Sequence, residues 1–391
     1  MIVIKDKSKC CGCSACAQRC PQQCILMYKD EEGFLYPKVN NSLCIGCGLC
    51  EKVCPILNQN EPRIIKNAYA AIHNDDEIRR QSSSGGFFTS LAEFIIERGG
   101  VVFGAKCDNH GTVIHTSVES KNDIYQLRGS KYVQSFIGNT FIEAKTFLDN
   151  GRLVLFSGTP CQISGLKLFL KASYINLYTL DIVCHGVPSP MVWNDYLRFL
   201  SLEKGFCDIS KLHLHSNFRD KENGWRQYQI NIWSEYDNIE STLCKEFAKD
   251  NIYMQGFLKN LFIRPSCFVC PAKKGKSNSD FTLGDFWGVE KECPELDDNK
   301  GISIVIAHTK EAIQLMGQLN IRYKKVDQTN LFKKRNVCYY KSTTKLKEQA
   351  VFWMKYKIIG IHAIPMFLLI LKPSIFEVGI LRLKQMVRKL L

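Results

Sequence analysis

From Asn67 onward the apolar and polar positions fall into alternating strand-like and helix-like runs. "NAYAAIH" at 67–73 reads as a strand, and "SSSGGFFTSLAEFIIERGG" as a Gly/Ser turn, an amphipathic helix and a Gly-Gly stop. "VVFGAKC" and "TVIHTSVE" flank "DNHG", a hairpin signal. "NTFIEAKTFLDNG" predicts another helix ended by Asn-Gly, and "RLVLFSG" a buried strand. After "GTP" the helix "CQISGLKLFL" begins, with Thr159 as its cap and Pro160 at its first position. "INLYTLDIVC" is the next strand. Such alternation predicts a mixed α/β sheet to about residue 200. Beyond it, "KLHLHSNF" and "RQYQINIWSEY" alternate at period two and predict antiparallel β-structure, so the whole reads as α+β or mixed α/β.

The stretch 1–58 obeys another rule. "CCGCSACAQRCP" at Cys10–Pro21 recurs as "CIGCGLCEKVCP" at Cys44–Pro55. Both fit C-x2-C-x2-C-x3-C-P, in which three cysteines wrap one cubane and the fourth crosses to the other. Cys10, Cys13, Cys16 and Cys54 are therefore assigned to one [4Fe–4S] cluster, and Cys44, Cys47, Cys50 and Cys20 to the second. Small residues at Gly12, Ser14, Ala15, Gly46 and Gly48 let backbone N–H groups approach the sulfurs. Cys11 and Cys24 lie off the pattern and read as bystanders. Paired zinc knuckles are the competing use of these thiolates, and the following prolines argue against them. "NQNEPRIIKN" at 58–67 reads as a linker.

Composition adds the compartment. The 391 residues are 45% hydrophobic and 23% charged, ordinary for a globular protein of two or three domains. The start "MIVIKDKSKC" has no apolar h-region, so no signal peptide is expected. Nineteen cysteines without an export signal point to metal or redox chemistry in a reducing, cytoplasmic compartment. The net charge of +14 is concentrated at the end, where residues 331–391 hold 13 Lys/Arg against two Glu. That favours anionic partners. In the same tail "IIGIHAIPMFLLIL", 358–371, is shorter than the roughly 20 apolar residues of a spanning helix. It either docks on a core or touches the inner face of a membrane as a peripheral contact.

A ferredoxin module on a large α/β core implies a second redox centre. Cys161 stands at a strand–helix junction, Cys184 at a strand's carboxyl end, and Cys267 with Cys270 forms a C-x-x-C pair. The helix start at Cys161 favours a thiolate there. These four thiols suffice for a third cluster, or are two structural cysteines and an idle pair. Ser83, Ser84, Gly85 and Gly86 precede a helix and can hold a pyrophosphate at its N-terminus, or merely cap it. No G-x-G-x-x-G is present. "NFRDKENGWRQY", 217–228, gathers Arg219, Lys221, Arg226, Trp225 and Tyr228 into either a substrate wall or an exposed hairpin.

Together "SSGG", "RGSKYVQS" at 128–135, "GTPCQISGL", "CHGVPSP" and "DFTLGDFWG" resemble the coenzyme F420 hydrogenase/dehydrogenase beta-subunit family over about 66–340. Many members carry a ferredoxin module in front. Members act on F420 or on other substrates, as in chlorophyll-type reductases, and bacterial ones occur in polysaccharide synthesis. The resemblance implies bound FAD on an α/β flavin-binding core, and a core cluster on Cys161, Cys184, Cys267 and Cys270. Expected flavin contacts are Ser83, Ser84, Gly85, Gly86, Gly129, Ser130, Lys131, Tyr132 and Gln134, with Lys131 and His185 as catalytic candidates. Asp285, Phe286 and Trp287 pack over cluster or flavin, or belong to the core.

The expected division is a two-cluster module, 1–58; an N-terminal beta-subunit part with FAD contacts, 66–150; a C-terminal part with the core cluster and substrate side, 151–340; and a basic amphipathic tail, 341–391. The expected function is an iron–sulfur flavoprotein oxidoreductase that joins one-electron transfer to hydride chemistry. Its expected partners are ferredoxin or another redox carrier, and a small-molecule hydride donor or acceptor. The alternative is a non-catalytic relay subunit. No nucleic-acid motif accompanies the basic charge, so no nucleic-acid partner is expected.

Overall fold

The computed structural model describes residues 1–327 and 335–371. In the N-terminal module, β1 (Ile25–Lys29) and β2 (Leu35–Val39) form an antiparallel hairpin between the two cysteine loops. Eight further strands build the main sheet: β3 (Ala68–His73), β4 (Val101–Cys107), β5 (Val113–Val118), β6 (Val154–Gly158), β7 (Leu177–Ile182), β11 (Phe281–Asp285), β12 (Ser303–Ala307) and β13 (Ile321–Val326). A separate antiparallel sheet contains β8 (His213–Asp220), β9 (Gln229–Tyr236) and β10 (Ile239–Phe247).

The main sheet runs β13-β3-β12-β11-β7-β6-β4-β5. Its middle, β4-β6-β7-β11, is parallel; β5 on one side and β12, β3 and β13 on the other pair antiparallel. The fold is thus the mixed α/β architecture that the alternation predicts. The parallel strands all end on one edge, where ligands gather in open α/β sheets. Cys107 closes β4, Asp285 closes β11, and Cys161 and Cys184 follow β6 and β7 directly.

Two helices position this edge. Helix Phe87–Glu97 starts from Gly86 in a left-handed conformation (φ +87°) and buries Phe87, Leu91, Ala92 and Ile95. Gly85 is irreplaceable for another reason: a Cβ there would lie 2.2 Å from the Ala71 carbonyl oxygen on β3. Helix Pro160–Leu170 opens with the expected Thr159 cap, closed into a capping box by Gln162.

The largest core lies around the three-stranded sheet and is strongly aromatic, with Trp193, Tyr196, Phe218, Tyr253, Phe262 and Phe352. The apolar run at 358–371 enters it. Helices Gln349–Ile359 and Ala363–Ile370 are separated by Gly360 and bury Phe352, Trp353, Ala363, Ile364 and Phe367. Their outer face still exposes Met354, Ile358, Leu369 and Ile370. The basic end of the expected tail, residues 372–391, lies outside the described residues.

Candidate redox site

The two cysteine loops repeat in backbone as well as in sequence. Gly12 and Gly46 both sit at positive φ (+70° and +67°), as do Ser14 and Gly48 (+59° and +71°). Ser14 and Gly48 cap the matching short helices Ala15–Gln18 and Leu49–Lys52. Left-handed residues turn the chain back so that successive cysteines face one space, and glycine adopts them without strain. The result is two hollows. One, of about 320 Å³, is lined by Cys10, Cys13, Cys16 and Cys54 with Ile2, Ile4 and Met27. The other, of about 360 Å³, is lined by Cys20, Cys44, Cys47 and Cys50 with Ile25, Val39 and Leu49. Each hollow thus receives the four cysteines assigned to one cluster, together with one off-pattern cysteine, Cys11 in the first and Cys24 in the second.

The spacing of these thiols bears on the metal. Tetrahedral zinc holds sulfur at about 2.3 Å, which puts four sulfurs close together around one point. Among the described residues no group of three or more His, Cys, Asp or Glu side chains is arranged for a single ion. Cysteines spread around a hollow suit a cubane, whose iron corners keep the ligands apart. Cys24, off the pattern, has its sulfur 3.4 Å from that of Cys20.

On the core, Cys161, Cys184, Cys267 and Cys270 lie close enough to repel one another as thiolates. Val187 N–H donates to the Cys267 sulfur at 3.4 Å, and the Thr159 hydroxyl lies 3.3 Å from the Cys161 sulfur. Burial pushes the Cys184 thiol up and that of Cys267 up to about 12. Cys161 is also raised, first by the neighbouring Cys11 thiol and then by burial. The helix start was expected to favour a thiolate at Cys161; these two effects outweigh it. Thiols of this kind lose their protons to a metal rather than to solvent. Lys273 braces the site by donating to the carbonyls of Cys184 (2.5 Å) and Cys338 (2.6 Å).

The "SSGG" turn meets the other candidate residues at the same edge. Ser130 N–H donates to the Ser83 hydroxyl at 2.7 Å, bringing Gly129 and Ser130 to the turn. The Ser84 hydroxyl donates to Ile302 O at 2.7 Å, and Gly85 N–H to the Ser303 hydroxyl at 3.0 Å. Lys131 turns back to the carbonyls of Arg128 (2.8 Å) and Gln126 (3.2 Å), and burial pulls its amine down to about 7. The Tyr132 hydroxyl lies 3.4 Å from the Arg219 guanidinium. Gln134 instead faces the ferredoxin module, donating to Cys11 O at 3.1 Å. His185 is held 2.7 Å from the Asn260 side chain with its ring edge-on to Phe257, and burial lowers its pKa.

Of the two readings of residues 217–228, the exposed hairpin fails for its central part. Arg219, Lys221 and Trp225 are buried. Arg219 pairs with Asp285 at 3.0 Å and stacks over Tyr228, 3.9 Å from its ring centre. Its Nε finds no acceptor among the described residues. Lys221 donates to the carbonyls of Arg79, Lys300 and Ser84, a brace under the "SSGG" turn. Of the five residues singled out there, only Arg226 is exposed, paired with Asp297 at 2.7 Å. Trp287 stacks flat on Trp225, with centroids 4.5 Å apart, and Phe286 belongs to the core.

Sequence reasoning overlooked two residues at the junction. Cys11, read as a bystander, is buried and packs in one cluster with Cys13 and Cys161. Arg264 is fully buried and spans from the core to Cys10, donating to its carbonyl at 2.8 Å and its sulfur at 3.6 Å. The signal available for Arg264 was a cation inside the apolar run "NLFIRP", three residues before Cys267.

Three profiles match the chain. "4Fe-4S dicluster domain" covers residues 9–57. "Coenzyme F420 hydrogenase/dehydrogenase, beta subunit N-term" covers 68–139, and its companion for the carboxyl terminus of the same beta subunit covers 151–329. Among solved structures, a chain of the xenon-derivatised F420-reducing [NiFe] hydrogenase complex from Methanosarcina barkeri is similar at 15% identity and a TM-score of 0.45. That alignment covers 76% of this chain and 94% of the other. No curated protein matches.

Proposed function

The chain belongs to the coenzyme F420 hydrogenase/dehydrogenase beta-subunit family and carries a 4Fe-4S dicluster domain, and from that premise we propose an iron–sulfur flavoprotein oxidoreductase. In this reading Cys161, Cys184, Cys267 and Cys270 would hold a third [4Fe–4S] cluster, and the residues around the "SSGG" turn and Arg219 would hold FAD. The observation that carries the reading is the Cys11–Cys161 contact, which sets one ferredoxin loop directly against the four core thiols.

The flavin assignment is supported by the buried Arg219, whose Nε has no acceptor among the described residues and whose other two nitrogens lie 3.4 Å from the Tyr132 hydroxyl and from Ser83 O. The first N–H groups of helix Phe87–Glu97 add donors for a pyrophosphate. When bound, FAD supplies the exchange between single electrons and a hydride. The chain's own residues bind and orient it: Ser83, Gly86, Gly129 and Ser130 form the phosphate side, while Tyr132, Tyr228 and Arg219 form the wall beyond. Lys131, whose amine titrates near neutrality, is the group assigned to proton transfer, with His185 as a neutral ring beside Cys184. The substrate is coenzyme F420 or another reducible metabolite, with sugar intermediates of polysaccharide synthesis as one class. The electron partner is ferredoxin or another redox carrier. A cytoplasmic setting, with the tail on an anionic partner or on the inner membrane face, completes the proposal.

A second reading has its own observation. The Ser84 hydroxyl and Gly85 N–H are already spent inside the chain, as in a purely structural helix start. That arrangement suits a relay subunit without flavin. Anaerobic purification with iron and flavin quantified separates the two. About twelve irons and one FAD per chain are expected for three cubanes and a flavin. About eight irons and no flavin select the relay. Zinc in place of iron overturns both.

A further inference from the structure

Arg264 is a buried cation whose partners are unusual. Its Nη1 donates to Gln134 Oε1 at 2.9 Å, its Nη2 to Leu35 O at 2.8 Å and toward Cys10 Sγ at 3.6 Å, and its Nε to Cys10 O at 2.8 Å. Its flat face lies over Tyr36, 4.4 Å from the ring centre, and over Phe34 at 5.4 Å. Among the described residues no carboxylate pairs with it, whereas the other fully buried arginine, Arg79, is held bidentately by Asp298. A buried charge without a counter-charge is strongly unfavourable. Of the groups near Arg264 that can become anionic, Cys10 acts most strongly, followed by the Tyr36 phenol, Cys11 and, from the core side, Cys267.

We propose that Arg264 is the counter-cation of the cluster held by Cys10, Cys13, Cys16 and Cys54, and that it raises that cluster's reduction potential. The inference rests on the dicluster reading and needs neither the flavin nor the third cluster. One-electron reduction adds one negative charge to the thiolate-bound group and moves no proton. Burial opposes that charge, and a guanidinium hydrogen-bonded to a ligand sulfur offsets the opposition. Charge and hydrogen bonds at the sulfurs are the means by which a protein sets such potentials. The second cluster site has no equivalent among the described residues. No lysine or arginine among them lines it, and the Met1 amine beside it is already paired with Glu51 at 3.2 Å.

The test is a redox titration of the anaerobic full-length protein with dithionite, followed by electron paramagnetic resonance. Arg264→Gln removes the charge. Gln134→Glu leaves the arginine in place and sets a carboxylate against it. In both, one ferredoxin midpoint falls by at least tenfold in the one-electron equilibrium, about 59 mV, while the other stays fixed. The signal that moves is the one lost in Cys13→Ser and kept in Cys47→Ser. Arg264→Lys, which keeps the charge, restores most of the wild-type value. Should Arg264→Gln fail to assemble, Gln134→Glu decides. Clusters present with no midpoint moved, or with both moved alike, overturn the proposal. A wild-type protein without iron overturns the reading beneath it.

Discussion

The two cysteine loops share one ligand spacing and one backbone shape, yet they live in different surroundings. Position by position the contrast is sharp. Cys11 is 5% exposed and touches Cys161, whereas its counterpart in the second loop, Ile45, is 65% exposed. A Cβ on Gly12 would come within 2.7 Å of Arg264 and 2.9 Å of Gln134; a Cβ on Gly46 would meet nothing within 4 Å. Cys13 sits against Gly165 of the core, while Cys47 is exposed. The shared pattern specifies how iron is held. The residues between the ligands specify which site faces the core and which faces solvent.

Removing a crossing cysteine breaks this comparison most severely. Cys20→Ser and Cys54→Ser should each cost about four irons. The hollows assign Cys54 to the inner site and Cys20 to the outer one. The cluster that survives in Cys20→Ser should therefore still respond to Gln134→Glu, and the one that survives in Cys54→Ser should not. The reverse result would show that each loop keeps its own fourth cysteine.

What the sequence disclosed follows from the range of each interaction. The ligand sets are a local code of spacing, so one short repeated motif carries them. The strand–helix alternation through residue 200 is likewise local, and each predicted element there is present. The antiparallel return of β12 and β13 onto β3 depends on pairing between strands far apart in the chain, and no periodicity encodes it. Arg264 escaped notice for the same reason: its acceptor, Cys10, is 254 residues away. The segment around Arg219 was divided between substrate wall and exposed hairpin because charge alone does not reveal burial. Asp285 decides the matter for Arg219, and it sits 66 residues further on.

Glycine substitutions sharpen the comparison at lower cost. Gly46→Ala faces only the strain of a left-handed residue, about 1 kcal/mol. Gly12→Ala adds a clash with a buried, multiply bonded guanidinium, and overpacking of that kind adds roughly 1–3 kcal/mol. Gly165→Ala carries the overpacking without the strain, since its Cβ would sit 2.9 Å from the Cys13 sulfur. Thermal unfolding of the anaerobic protein should rank them Gly12→Ala, Gly165→Ala, Gly46→Ala from most to least destabilised. If Gly46→Ala proves as harmful as Gly12→Ala, the outer loop is not open to solvent.

The smallest effects test the repeat position that differs most. Ile45→Thr changes an exposed side chain on the outer loop, and such changes usually stay within about 0.5 kcal/mol. Cys11→Ala empties a small buried space at the junction and should cost about 1 kcal/mol, since lost apolar contact and a residual cavity add together. Neither should alter the iron count, because neither residue belongs to a ligand set. Iron content therefore discriminates where stability does not. A Cys11→Ala protein short of about four irons would make Cys11 a ligand and not a contact. The inner loop would then bind its cluster by a different set of sulfurs from the outer loop, and the shared spacing of the two loops would no longer imply identity of the two sites.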